Sequence, residues 1–124
     1  MSYINESRRT FISGAAIDAH LLATLTDGKL AACGAADAPL GVLEYPAAEA
    51  DMPVGVRLLN CQGTIEVMAS GAVVAGGDVQ AADGGVVVAD AGAGARTIIG
   101  KSLTAVADGG LIEVIPCGYG HTLS

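Results

Sequence analysis

The sequence predicts a small all-β protein: a single-domain β-barrel or sandwich with an extended N-terminal arm. Asp-Gly turn signals recur at short intervals, the stretches between them alternate apolar and polar residues, and the apolar content is small and aliphatic. Of 124 residues, 52% are hydrophobic but only 3% aromatic, and 18 are Gly. Closely spaced turns with short β-branched runs are the pattern of a barrel or sandwich. The length fits one domain.

Taken in order, residues 1–13 read as the extended arm, 14–117 as the β domain and 118–124 as a C-terminal tail. Thr26-Asp27-Gly28-Lys29 predicts a hairpin turn between Leu21–Leu25 and Leu30–Cys33, because Asp-Gly tolerates positive φ. Ala82-Asp83-Gly84-Gly85 repeats that signal between Val79–Ala81 and Val86–Ala89. Ala107-Asp108-Gly109-Gly110 does so between Leu103–Val106 and Leu111–Ile115. Val54–Leu58, Thr64–Val67 and Ile112–Val114 alternate with period two, as half-buried strands do. A helix has room only around Ala47–Ala50.

A weak internal repeat runs through the chain. Gly14–Ile17 resembles Gly71–Val74, Asp27–Leu30 resembles Asp83–Val86, and Pro39–Val42 resembles Ile98–Lys101. Ala50-Asp51 resembles Ala107-Asp108. The offsets of roughly 56 to 59 residues suggest two units of about 57 residues, which could pack into one barrel about a pseudo-two-fold axis. The competing reading is the self-matching of any Ala/Gly-rich chain.

Thirteen acids face six bases, giving a net charge of −7. Such a chain repels polyanions, so neither nucleic acid nor an anionic membrane is an expected partner. Mean hydropathy is +0.54, yet no apolar run approaches the ~18–20 residues of a spanning helix. Residues 1–9 are polar and lack the apolar core of a signal peptide, so synthesis in the cytoplasm is expected. High apolar content with few charges implies that sheet edges and faces are covered by partner chains. Cys33, Cys61 and Cys117 are odd in number and lack CxxC spacing, so they read as buried thiols rather than a disulfide framework.

No catalytic, cofactor-binding or metal site is expected. Asp18 and His20 would share a strand face, and Cys117 and His121 a loop, but zinc needs about four ligands at defined spacing. Glu49 and Asp51 sit in a Pro-flanked loop without apolar enclosure. No Gly-x-Ser-x-Gly or phosphate loop occurs. Lys29 at a hairpin tip lacks the flanking pattern of lipoyl or biotin carriers. Arg8, Arg9 and Phe11 are the candidate partner contact: guanidinium forks bind carboxylates and an aromatic ring can anchor in a pocket. The alternative is an ordinary chain terminus.

The order Arg9-Thr10-Phe11, Gly14, Ile17, Asp27-Gly28-Lys29, Leu40-Gly41-Val42, Gly77-Asp78-Val79, Ile99–Leu103, Ala107–Gly110 and Ile112–Val114 resembles the tailed-phage capsid decoration (cement) proteins. The resemblance runs from about Arg9 to Ile115. It implies a β-tulip-like domain on the capsid surface of a virion. That domain would assemble as a homotrimer with itself, bind the major capsid protein and stabilise contacts between its subunits. Arg8, Arg9 and Phe11 would then be capsid contacts. A different class, a small β-barrel module binding carbohydrate or peptide on a virion fibre or surface, fits the composition less well. Trp is absent, and Tyr3, Tyr45 and Tyr119 are dispersed.

Overall fold

Alternation and turn chemistry produce ten strands in the computed structural model, which describes residues 7–59 and 63–123. The first unit holds β1 (Arg8–Ile12), β2 (Leu22–Thr26), β3 (Lys29–Ala32), β4 (Gly41–Leu43) and β5 (Pro53–Leu58). The second holds β6 (Ile65–Ala69), β7 (Asp78–Ala81), β8 (Val87–Ala89), β9 (Arg96–Ser102) and β10 (Gly110–Leu123). The described residues contain no helix, so Ala47–Ala50 is not one: Ala47 instead bridges Ile17.

The first unit is a five-stranded sheet in the order β1-β5-β4-β2-β3, and the second is a closed barrel in the order β10-β6-β8-β7-β9. The two are the same structure twice. Pairs β1–β5, β2–β3, β2–β4 and β4–β5 recur as β6–β10, β7–β8, β7–β9 and β9–β10, all antiparallel. The parallel Ser13–Leu30 bridge recurs as the parallel Ala69–Val87 pair that closes the barrel. The Ile17–Ala47 bridge recurs as Val73–Val106. Duplication, not the self-matching of a biased composition, explains the repeat.

The turns form for the reason the sequence implies. Asp27 and Gly28 both have positive φ, 52° and 80°, and join Thr26 to its partner Lys29 in a two-residue hairpin loop. Gly84 and Gly85 supply positive φ at the matching turn of the second unit. The strands bury alternate residues: Val54 and Val56 on β5, Ile65, Val67 and Ala69 on β6, Ile112 and Val114 on β10. Each fully buried Val, Leu or Ile contributes about 1.5–3 kcal/mol relative to exposure.

Two cores result. One lies within the first unit around Ile17, Leu30, Leu43 and Val56. The larger fills the barrel and takes in Leu22, Cys33, Val42 and Leu59 from the first unit. The units are therefore welded by shared apolar burial. The anticipated single barrel about a two-fold axis is not what forms. Each unit builds its own sheet, and different faces of the two units meet.

Strand pairing reaches into both expected terminal segments. Over residues 8–12 the expected arm is strand β1, paired with β5 from Arg8–Arg57 to Ile12–Pro53. Met1–Glu6 lie outside the described residues. The expected tail continues β10, with His121, Thr122 and Leu123 paired to Ile98, Thr97 and Arg96. Both segments satisfy their backbone groups in a ladder. Leu103–Val106 is not a strand, because the Ser102 hydroxyl and the Val73 bridge hold it as an irregular turn.

Candidate functional site

A cleft of about 760 Å³ lies where the two units meet. Arg8, His20, Glu44, Tyr45 and Arg57 line it from the first unit, and Thr64, Glu66, Thr104, Leu111 and Glu113 from the second. Strand alternation aims these side chains. Glu66 and Glu113 are directly opposed partners in the β6–β10 ladder and so share one face.

Its polar groups are organised. Arg8 grips Glu44 with two donors: Nε donates to Oε1, and Nη2 donates to Oε2 at 3.0 Å. That hydrogen bond holds the Glu44 carboxyl below the usual glutamate range, against the opposing effect of burial; the charges of Arg8, Arg57 and His20 add to the lowering. Arg57 Nε donates to the Thr64 carbonyl at 3.0 Å, and Thr64 Oγ1 donates to Glu113 Oε2 at 2.7 Å. Tyr45 stands on the rim, 74% exposed, near a half-exposed Leu111.

His20 is placed by an uncommon backbone. Its φ is 66°, a region that non-glycine residues seldom enter. The same position in the second unit is Gly76, with φ 85°. His20 N–H donates to the Leu43 carbonyl at 2.6 Å, and its carbonyl accepts from Met68 N–H at 2.8 Å. It lies in a turn rather than on the expected strand with Asp18. That Gly-to-His exchange between repeats was the one sequence signal that marked the cleft. Glu44, Arg57, Thr64, Glu66 and Glu113 carried none, since they are ordinary strand-surface residues until the two units meet.

The three candidate contacts do not form one patch. Arg8 points into the cleft. Arg9 and Phe11 lie on the other face of β1, with the Arg9 guanidinium 5.2 Å from the Phe11 ring centroid. Phe11 in turn packs on the first-unit core. Alternation along a strand separates neighbours in sequence by a full sheet thickness.

Among the described residues no group of three or more His, Cys, Asp or Glu is placed to hold a metal ion. Lys29 Nζ pairs with Asp51 Oδ1 at 2.5 Å at the surface. Cys33 is buried, and desolvation, with a smaller effect from Asp37, pushes its thiol up to about 11. Cys61 and the side chains of Cys117 and His121 lie outside the described residues.

No family model and no curated protein matches this chain. Its fold is similar to the N base of the head fiber gp8.5 of bacteriophage phi29, with a TM-score of 0.72. The likeness covers 92% of this chain and 96% of that one at 15% sequence identity, so it spans both units of the fold.

Proposed function

We propose that this chain is a structural protein of a phage virion, docking on the outer surface of the head as a homotrimer and reinforcing contacts between major capsid subunits. The observation that carries the reading is the end-to-end likeness to a head fiber base, which spans both units rather than one common barrel. The acidic net charge and the low charge content agree with a protein that works through protein surfaces. A trimer that touches several subunits at once gains effective concentration, so weak single contacts add up to tight attachment. On this reading the protein has no catalytic role, needs no cofactor, and avoids nucleic acid and membrane.

One observation favours a second reading, a recognition module on a virion fibre. Tyr45 is exposed beside a polar cleft, and such rings stack on sugars or peptides. Adding the purified chain to heads that lack it separates the two. Electron microscopy is expected to show new density at three-fold or quasi-three-fold positions. Bare heads together with saturable glycan-array binding would favour the second reading instead.

A further inference from the structure

The barrel wall at the cleft carries a pattern on its outer face that the first unit lacks. Ile112 and Val114 are buried in the barrel, so Leu111, Glu113 and Ile115 share the opposite, outward face of β10. Leu111 is 43% exposed and Ile115 47%. On the neighbouring strand β6, Met68 stands beside Leu111 and Glu66 beside Glu113. Leu111, Glu113 and Glu66 line the cleft, with Tyr45 on its first-unit wall, and the outward face of β10 runs on to Ile115.

The duplicated plan shows that the fold does not require this pattern. The parallel bridges Ser13–Leu30 and Ala69–Val87 align β1 with β6. The two ladders then place Thr10 and Gly55 where the second unit has Glu66 and Glu113. Two carboxylates directly opposed across a ladder repel each other and weaken it. No Lys or Arg of the described residues pairs with either. Glu113 Oε2 accepts from the neutral Thr64 hydroxyl, and Glu66 has no hydrogen-bond or ion-pair partner among the described residues. The six bases are engaged elsewhere. Arg8 holds Glu44, Arg9 lies over Phe11, and Arg57 donates to the Thr64 carbonyl. Lys29, Arg96 and Lys101 pair with Asp51, Asp90 and Asp78.

Residues two apart on an extended strand are roughly 6.5 Å apart on the same face. An extended segment of the pattern apolar-x-Arg-x-apolar therefore presents its side chains at the spacing of Leu111, Glu113 and Ile115. We infer that the cleft and the outward face of β6 and β10 form a groove for such a segment of a partner protein. Its arginine sits between Glu66 and Glu113, and its apolar side chains cover Leu111 and Ile115. Charge complementarity selects the occupant: a cation set between the two carboxylates turns their repulsion into attraction. Arginine suits the place better than lysine, because its planar fork can be shared by two carboxylates and can stack on an aromatic face such as Tyr45. The inference rests on the head-docking reading for a protein partner and supplies the chemistry of that partner's contact segment.

The test uses the purified full chain and a capped, fluorescein-labelled peptide, Ser-Leu-Ser-Arg-Ser-Leu-Ser, followed by anisotropy. Saturable binding tighter than about 1 mM is expected, weakening as salt is raised. The same peptide with citrulline, which keeps the shape of arginine without its charge, is expected to bind about tenfold more weakly. The arginine peptide should lose as much on the Glu66→Gln/Glu113→Gln chain. Circular dichroism should show that variant folded, since the change removes a repulsion. No saturable binding of the arginine peptide, equal binding of the citrulline peptide, or full binding by the double variant would each overturn the inference. Glycan binding that the double variant loses would give the groove to a sugar and overturn it as well. Heads separate this outcome from that of docking. Decoration by the wild type and not by the double variant supports the groove. Equal decoration by both leaves docking intact and sinks the groove, whereas peptide binding beside bare heads supports the groove and sinks docking.

Discussion

Gly41 and Gly100 stand at the same place in the two units, and neither has room for a β-carbon. A methyl at Gly41 would run into the Arg57 carbonyl and come within 2.6 Å of Val56 Cγ1. At Gly100 it would meet the Ile115 carbonyl and come within 2.9 Å of Pro116 Cα. Both glycines lie where β4 or β9 is paired with its neighbouring strand. The obstacle is backbone, which cannot rotate aside as a side chain can.

Gly41→Ala and Gly100→Ala should therefore each destabilise the protein by about 1–3 kcal/mol or more. Denaturant melts of the two single variants measure this. Near-wild-type midpoints for either would show that the ladder can relax around a methyl.

Gly85 tests the join between the units. It has a φ of 81°, and a β-carbon there would lie 2.9 Å from both Leu21 Cβ and the Leu22 carbonyl. Gly85→Ala is expected to cost about 2 kcal/mol or more, from left-handed strain together with two weakened inter-unit hydrogen bonds. In these, Leu22 N–H donates to the Gly85 carbonyl and Gly85 N–H to the Cys33 carbonyl. Hydrogen exchange would show where: protection should fall first at Leu22 and Gly85.

The Arg8–Glu44 pair predicts an acid effect of known sign. Glu44 is held below its ordinary value of 4.5 in the folded chain. Its contribution is then fully present above that value and disappears as pH falls through the lower folded value. Arg8 is exposed, so the loss should be at most about 1 kcal/mol. Urea melts across the acid range are expected to show it, and Glu44→Gln should flatten that part of the profile.

Cys33 predicts an alkaline effect. Its thiol rises from 9.0 to about 11 on folding. The unfolded chain therefore loses the proton first, and stability falls as pH rises from 9.0 toward 11. In a chain with Cys61 and Cys117 replaced by Ser, Cys33 should react with a thiol reagent far more slowly when folded than in denaturant. Equal rates would mean that the Cys33 pocket opens readily.

Legibility in the sequence followed the range of the interaction. Asp27-Gly28 marks its hairpin because positive φ is a property of two adjacent residues. Val54–Leu58 and Ile112–Val114 announce strands because alternation is equally local. Apart from the Gly-to-His exchange at His20, the cleft was silent, because its two walls come from residues as far apart as Arg8 and Glu113 and nothing in either neighbourhood signals the other.

The amino-acid order alone thus determined the all-β class, the turns and the duplicated plan. Tertiary structure decided how sheet edges are hidden. The barrel closes its own edge through Ala69 and Val87, and the first sheet joins its edge strands at Ser13 and Leu30. Tertiary structure also set Arg8 apart from Arg9 and Phe11, and brought different faces of the two units together. Unpaired backbone groups must find partners somewhere. Which partner they find depends on how distant strands meet in space, and no local pattern of side chains encodes that.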